Sequence, residues 1–165
     1  MKTYTPPHAG KERGGAGNRK SNGGTPAWQS DGGNATIDEF RRLSASVRQD
    51  VLDILEDLTV YEEVTAGGKD FVLVHAGLGN FSPEKALDDY GLDELILSRP
   101  DPGQEYLQDR YLVFGHTPTP FYTGAPDCKD ARVFRNGNLV AIDCGCAYGG
   151  PLGCVCLDTL EELYV

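Results

Sequence analysis

The sequence predicts an α/β fold, running helix-strand-helix-strand and then an antiparallel β meander, and three observations predict it. SVRQDVLDILEDL (46–58) spaces its apolar residues as a helix does. FVLVHAGLG (71–79) and YLVFGHTPT (111–119) are short apolar runs that each end on a histidine. ARVFRNGNLVAID (131–143) carries a hairpin signal.

The first helix signal is TIDEF (36–40), where Thr36 stands three before Glu39 as in a capping box. In the next segment Val47, Val51, Ile54, Leu55 and Leu58 form one apolar stripe at helical spacing. The two histidine-bearing runs lack polar alternation and are bounded by turn residues, as expected of fully buried strands. Between them lie a loop with Pro83 and a short helix over residues 84 to 97. After a Gly- and Pro-rich loop, Asn136-Gly137 signals a type I′ hairpin, which GCVCLD (153–158) and ELYV (162–165) extend as a meander. The chain holds no internal repeat.

Composition restricts function. At 165 residues, 39% hydrophobic and 24% charged, the chain suits one ordinary domain with a modest core. No run approaches the roughly 18 apolar residues of a membrane span, and the first 25 residues hold no apolar signal region, so a cytoplasmic location is expected. The net charge of −10 is uneven: residues 1–25 carry +4 and the remainder −14. So acidic a body argues against nucleic acid as a partner, since phosphate backbones are bound by basic surfaces. The glycine-rich basic head, residues 1–25, reads as a disordered tail preceding one domain over 26–165.

Five cysteines admit two readings. Cys144 with Cys146, and Cys154 with Cys156, stand two apart and would share a strand face, so four thiolates could hold zinc, although C-x-C is not the usual spacing. Reduced cysteines buried as small hydrophobes are the plainer expectation, and an odd count argues against a disulfide framework.

His75 and His116 also admit two readings, as hydrogen-bonded structural residues or as ligands of a shared metal. Each lies just past the carboxyl end of a strand, where open α/β sheets bind ligands, and each is followed by small or turn-forming residues that leave its ring room. The two imidazoles are expected to converge on one opening. Two ligands do not complete a metal site, so carboxylates would have to come from elsewhere.

WQSDGGNAT (28–36), FVLVHAGL, LILSRPD (95–101), YLVFGHTPT and IDCGCAYGGPLGCVCLD (142–158) together resemble the C-terminal half of calcineurin-like metallophosphoesterases. The resemblance spans roughly residues 27 to 165, and the closest branch is the bacterial one similar to serine/threonine phosphoprotein phosphatases. It implies part of an αββα sandwich, with two divalent metal ions (Mn, Fe or Zn) at the strand ends and a phosphorylated substrate, either phosphoprotein or small phosphoester. His75 and His116 match the histidines that bind the second metal. Arg99 matches a phosphate-gripping arginine, with Ile96-Leu97-Ser98 where the family carries a tryptophan; the alternative is a solvated surface arginine. Asp31-Gly32-Gly33 and Asp143 are read as structural.

The family's D-x-H, G-D-x-x-D-R-G and G-N-H-D/E motifs are not in the sequence, and GNRK (17–20) has Arg19 where a histidine is needed. The resemblance therefore implies a partial phosphatase, inactive alone, with the missing N-terminal half as a partner. Its strands would then keep an unpaired edge or an uncovered face. A non-catalytic binding module and a degenerate fragment are the alternatives.

Overall fold

The computed structural model describes residues 33–165. The head read over residues 1–25, GNRK, Trp28, Asp31 and Gly32 lie outside the described residues. The chain divides into two units between Glu56 and Asp57.

In the first unit, helix α1 (Asn34–Arg42) starts two residues before the expected cap. Nothing in Gly33-Asn34-Ala35 stops the helix, so Thr36 falls inside its first turn. Helix α2 (Ala45–Asp57) starts at Ser44, whose hydroxyl accepts a hydrogen bond from the Val47 amide at 3.3 Å. The expected helix forms, but Leu58 lies past its end, and of the stripe's five residues Val47, Ile54, Leu55 and Leu58 are exposed and only Val51 is half-buried.

The second unit is built on a five-stranded mixed sheet in the order β1 (Tyr61–Ala66), β2 (Lys69–Val74), β3 (Tyr111–Phe114), β5 (Leu139–Ala141), β4 (Phe134–Asn136). Strands β2, β3 and β5 run parallel, and β1 and β4 are antiparallel edges. The alternation of a strand's side chains sorts the central strands onto two faces. Val72, Leu112 and Leu139 are level in the ladder, as are Val74, Phe114 and Ala141, and these six share one core with Leu78, Tyr90, Leu95 and Tyr106. Phe71, Val113 and Val140 face the other way, against Val155, Leu157 and Leu160. Burial on both faces explains why these strands read as unbroken apolar runs.

Several expectations are corrected here. The strands leading to His75 and His116 have no free edge: β2 lies between β1 and β3, and β3 between β2 and β5. Strand β1 was not legible, because YEEVTA is charged and largely exposed, as an edge strand can be. It joins β2 through Gly67 and Gly68, both at positive φ (54° and 71°), which is the type I′ pattern. The hairpin at 134–141 is instead centred on Gly137 and Asn138, with positive φ at Gly137 alone, the type II′ pattern. The helix expected over 84–97 is split by Gly91 into a 3₁₀ turn (Leu87–Asp89) and helix α3 (Leu92–Ile96). Finally, β6 (Gly153–Val155) and β7 (Glu162–Tyr164) do not extend the main sheet but pair with each other. No helix among the described residues is long and apolar enough to cross a membrane.

Candidate functional site

His75 directly follows β2, and His116 stands two residues after β3. The Gly115 amide donates to the His75 carbonyl at 2.9 Å, carrying the parallel ladder one step past the strands. The chain then turns sharply: the Thr117 amide donates to the Gly115 carbonyl at 2.7 Å, with His116 between them at φ 67°. An i to i+2 bond around a positive-φ residue is the rare, strained form of γ-turn. Such strain, on the order of 1–3 kcal/mol, is concentrated at functional sites. Its effect here is to swing the His116 ring back over His75.

The expected convergence is found. His75 Nε2 and His116 Nδ1 are 3.1 Å apart, and the ring centroids are separated by 4.9 Å at an interplanar angle of 55°. His116 is exposed to solvent, but partial desolvation of its ring, foremost, lowers its pKa from the usual histidine range; the nearby His75 and Arg99 charges push the same way, and Asp143 opposes them. A neutral ring is the form that can ligate a metal. Two nitrogens each about 2.0–2.1 Å from one ion stand roughly 3.3 Å apart at the tetrahedral angle, so this pair fits two positions of one ion. Among the described residues, no group of three or more His, Cys, Asp or Glu side chains is placed to hold a metal.

The loop after His75 packs against the segment that carries Arg99. The Ala76 and Gly79 amides donate to the Leu95 and Glu94 carbonyls of α3, both at 2.9 Å. A Cβ on Gly77 would lie 2.3 Å from Pro100 Cγ and 3.0 Å from Ser98 Oγ, so the loop and the Ser98-Arg99-Pro100 segment touch. Arg99 is exposed and, among the described residues, pairs with no carboxylate. Its guanidinium lies 5.9 Å from the centroid of the Phe121 ring, on helix α4 (Pro120–Thr123).

Glu94 fastens this loop from below. Its carboxylate accepts from Lys85 Nζ at 2.8 Å, the Gly91 amide at 2.8 Å and Asn80 Nδ2 at 2.9 Å. The Lys85 hydrogen bond above all holds the Glu94 carboxyl down at about 2, against an ordinary 4.5. A depressed carboxyl stabilises the fold fully above its ordinary range, and that stabilisation fades as pH falls from about 4.5 toward 2. Glu94→Gln is therefore expected to lower the melting temperature at pH 7. Its melting temperature should fall less steeply than the wild type's between pH 4.5 and 2. Parallel pH curves would show that the carboxylate contributes nothing.

Asp143, read as structural, does tie loops together. Its carbonyl accepts from the Thr119 amide at 2.8 Å and its carboxylate from the Gly145 amide at 2.9 Å. Its Cβ also lies close to Gly115, beside the histidine turn, which the sequence did not indicate. The reading of five buried thiols holds for Cys144 alone. Cys128 and Cys156 are half-buried, Cys146 and Cys154 are exposed, and all five are free. Gly145 at φ 73° breaks the extended geometry that would put Cys144 and Cys146 on one face.

No family model matches the chain, and no curated protein matches it.

Proposed function

We propose that this chain supplies part of the active site of a metal-dependent phosphoesterase with the calcineurin-like sandwich, contributing two metal ligands, His75 and His116, and one phosphate clamp, Arg99. The observation that carries this reading is the pair of imidazole nitrogens 3.1 Å apart at the ends of adjacent parallel strands. A strained turn at His116 and an arginine without a carboxylate partner among the described residues support it.

In this reading Arg99 grips the phosphate through a planar guanidinium that donates paired, charge-assisted hydrogen bonds. The lowered pKa of His116 favours the neutral ring, the form that ligates a metal, and a bound ion would take the place of the hydrogen bond between His116 Nδ1 and His75 Nε2. Divalent ions, when bound, supply Lewis acidity and hydroxide at neutral pH. The carboxylates that complete such a site come from a segment carrying the D-x-H, G-D-x-x-D-R-G and G-N-H-D/E motifs. A non-catalytic binding module is the second reading, favoured by the missing third donor group among the described residues.

Cobalt is a suitable test ion because it reports its ligands spectroscopically. The chain is expected to bind Co²⁺ weakly, and His75→Ala and His116→Ala are each expected to weaken binding by at least about tenfold, since even outer-sphere partners are worth 10–100-fold. Hydrolysis of p-nitrophenyl phosphate with Mn²⁺ should be absent from the chain alone and appear when the complementary segment is added. Cobalt binding indifferent to both substitutions would refute the metal site. His116-dependent hydrolysis by the chain alone would refute the shared-site reading.

A further inference from the structure

The aromatic ring beside Arg99 bears on which phosphoester this site would accept. Phe121 is 72% exposed, and local structure keeps it there. On the same short helix Pro120 is buried, and Tyr122 is wedged against Phe114 (centroids 6.0 Å apart, edge to face) and Phe134 (5.5 Å, stacked). The Phe121 amide donates to Pro118 at 3.0 Å, the Tyr122 amide to Thr119 at 2.9 Å, and Gly124 caps the helix in the left-handed region. With its neighbours anchored on both sides, Phe121 cannot fold inward without dismantling α4.

We propose that Arg99 and Phe121 form a recognition wall for aryl phosphomonoesters, the guanidinium taking the phosphate and the exposed phenyl face taking the ring carried on the ester oxygen. The proposal rests on the phosphoesterase reading for the role of Arg99 and goes beyond it in naming the substrate class. Reach selects the aryl ester. The guanidinium lies 5.9 Å from the Phe121 centroid. A phosphate oxygen sits about 2.7–2.9 Å from the nitrogen that holds it, and stacked rings stand about 4.5–7 Å apart. A ring bonded directly to the ester oxygen falls within that span, whereas the base of a nucleotide lies several bonds farther on. The guanidinium over the ring also keeps Arg99 beside the position the phosphate takes.

The test measures binding to the full chain, by calorimetry or phosphorus NMR titration, of inorganic phosphate, phenyl phosphate, cyclohexyl phosphate and adenosine 5′-monophosphate. Cyclohexyl phosphate matches the aryl ester in size without a π face. Phenyl phosphate is expected to bind about three- to tenfold more tightly than cyclohexyl phosphate, the range an aromatic pair supplies. Phe121→Ala should erase that preference and leave inorganic phosphate unchanged, Phe121→Tyr should keep it, and Arg99→Ala should weaken all four ligands. Equal binding of the phenyl and cyclohexyl esters, or a preference that survives Phe121→Ala, would overturn the inference while leaving Arg99 as a clamp. Tighter binding of the nucleotide would assign the wall to a remote ring and overturn the aryl assignment. No binding of inorganic phosphate would remove the Arg99 clamp and overturn this inference, while the histidine pair would still stand or fall by cobalt binding.

Discussion

Phe114→Ala is expected to cost about 3–5 kcal/mol of stability, the range for truncating a fully buried aromatic side chain. The ring is 1% exposed and lies in the core between the sheet and α3, level with Val74 and Ala141, edge-on to Tyr122. It is also the last residue of β3, two before His116. Against a typical total of 5–15 kcal/mol, the loss would leave the sheet unit close to its unfolding threshold. The measurement is a urea titration: the midpoint should fall sharply with the slope unchanged. Leu163→Ala, at a side chain 64% exposed, serves as the comparison and should stay within about 0.5 kcal/mol of wild type. A Phe114→Ala loss no larger than that would mean the core beneath the histidines is loosely packed.

Gly77→Ala is the second large effect, and it acts on the site as well as the fold. At φ 130° this residue occupies a region that side chains rarely adopt, and a Cβ there would lie 2.3 Å from Pro100 Cγ and 2.8 Å from its Cδ. The backbone strain alone is on the order of 1–3 kcal/mol. The clash adds to it, because a proline ring cannot swing away as a flexible side chain can. Relief requires the His75 loop and the Ser98–Pro100 segment to separate, taking Arg99 from its place beside the histidines. The expected result is a lower melting temperature together with weakened binding of inorganic phosphate. Gly68→Ala is the control: it has positive φ, 71°, but nothing within 4 Å of its added Cβ, so it should lose some stability and keep phosphate binding. If Gly77→Ala bound phosphate as the wild type does, contact between these loops would not be what positions Arg99.

Much of this chain follows from short-range pattern. Unbroken apolar runs at 71–74 and 111–114 mark central strands because such strands must be dry on both faces. A histidine one or two residues past each run stands at the carboxyl end of the strands, and helix α2 and the hairpin at residues 134–141 follow from spacing and a glycine. These features depend only on residues within a few positions of one another.

What the sequence did not show depends on contacts across long separations or on backbone angles that no residue name declares. YEEVTA is a strand only because β2 offers it a partner across Gly67-Gly68, and its charges are tolerated because it stands at an edge. CGC looked like a same-face pair until Gly145 turned left-handed and sent Cys146 outward. GHT does not announce a positive φ at His116, yet the chain turns there at φ 67° and the two imidazoles stand 3.1 Å apart. Arg99 and Phe121, 22 residues apart, meet because Gly77 lets one loop close on Pro100 while Tyr122 anchors the other. The sequence by itself determined which strands are buried and which side chains stand at their ends. Their mutual geometry was decided by tertiary packing, because register, strain and close approach are properties of pairs of segments.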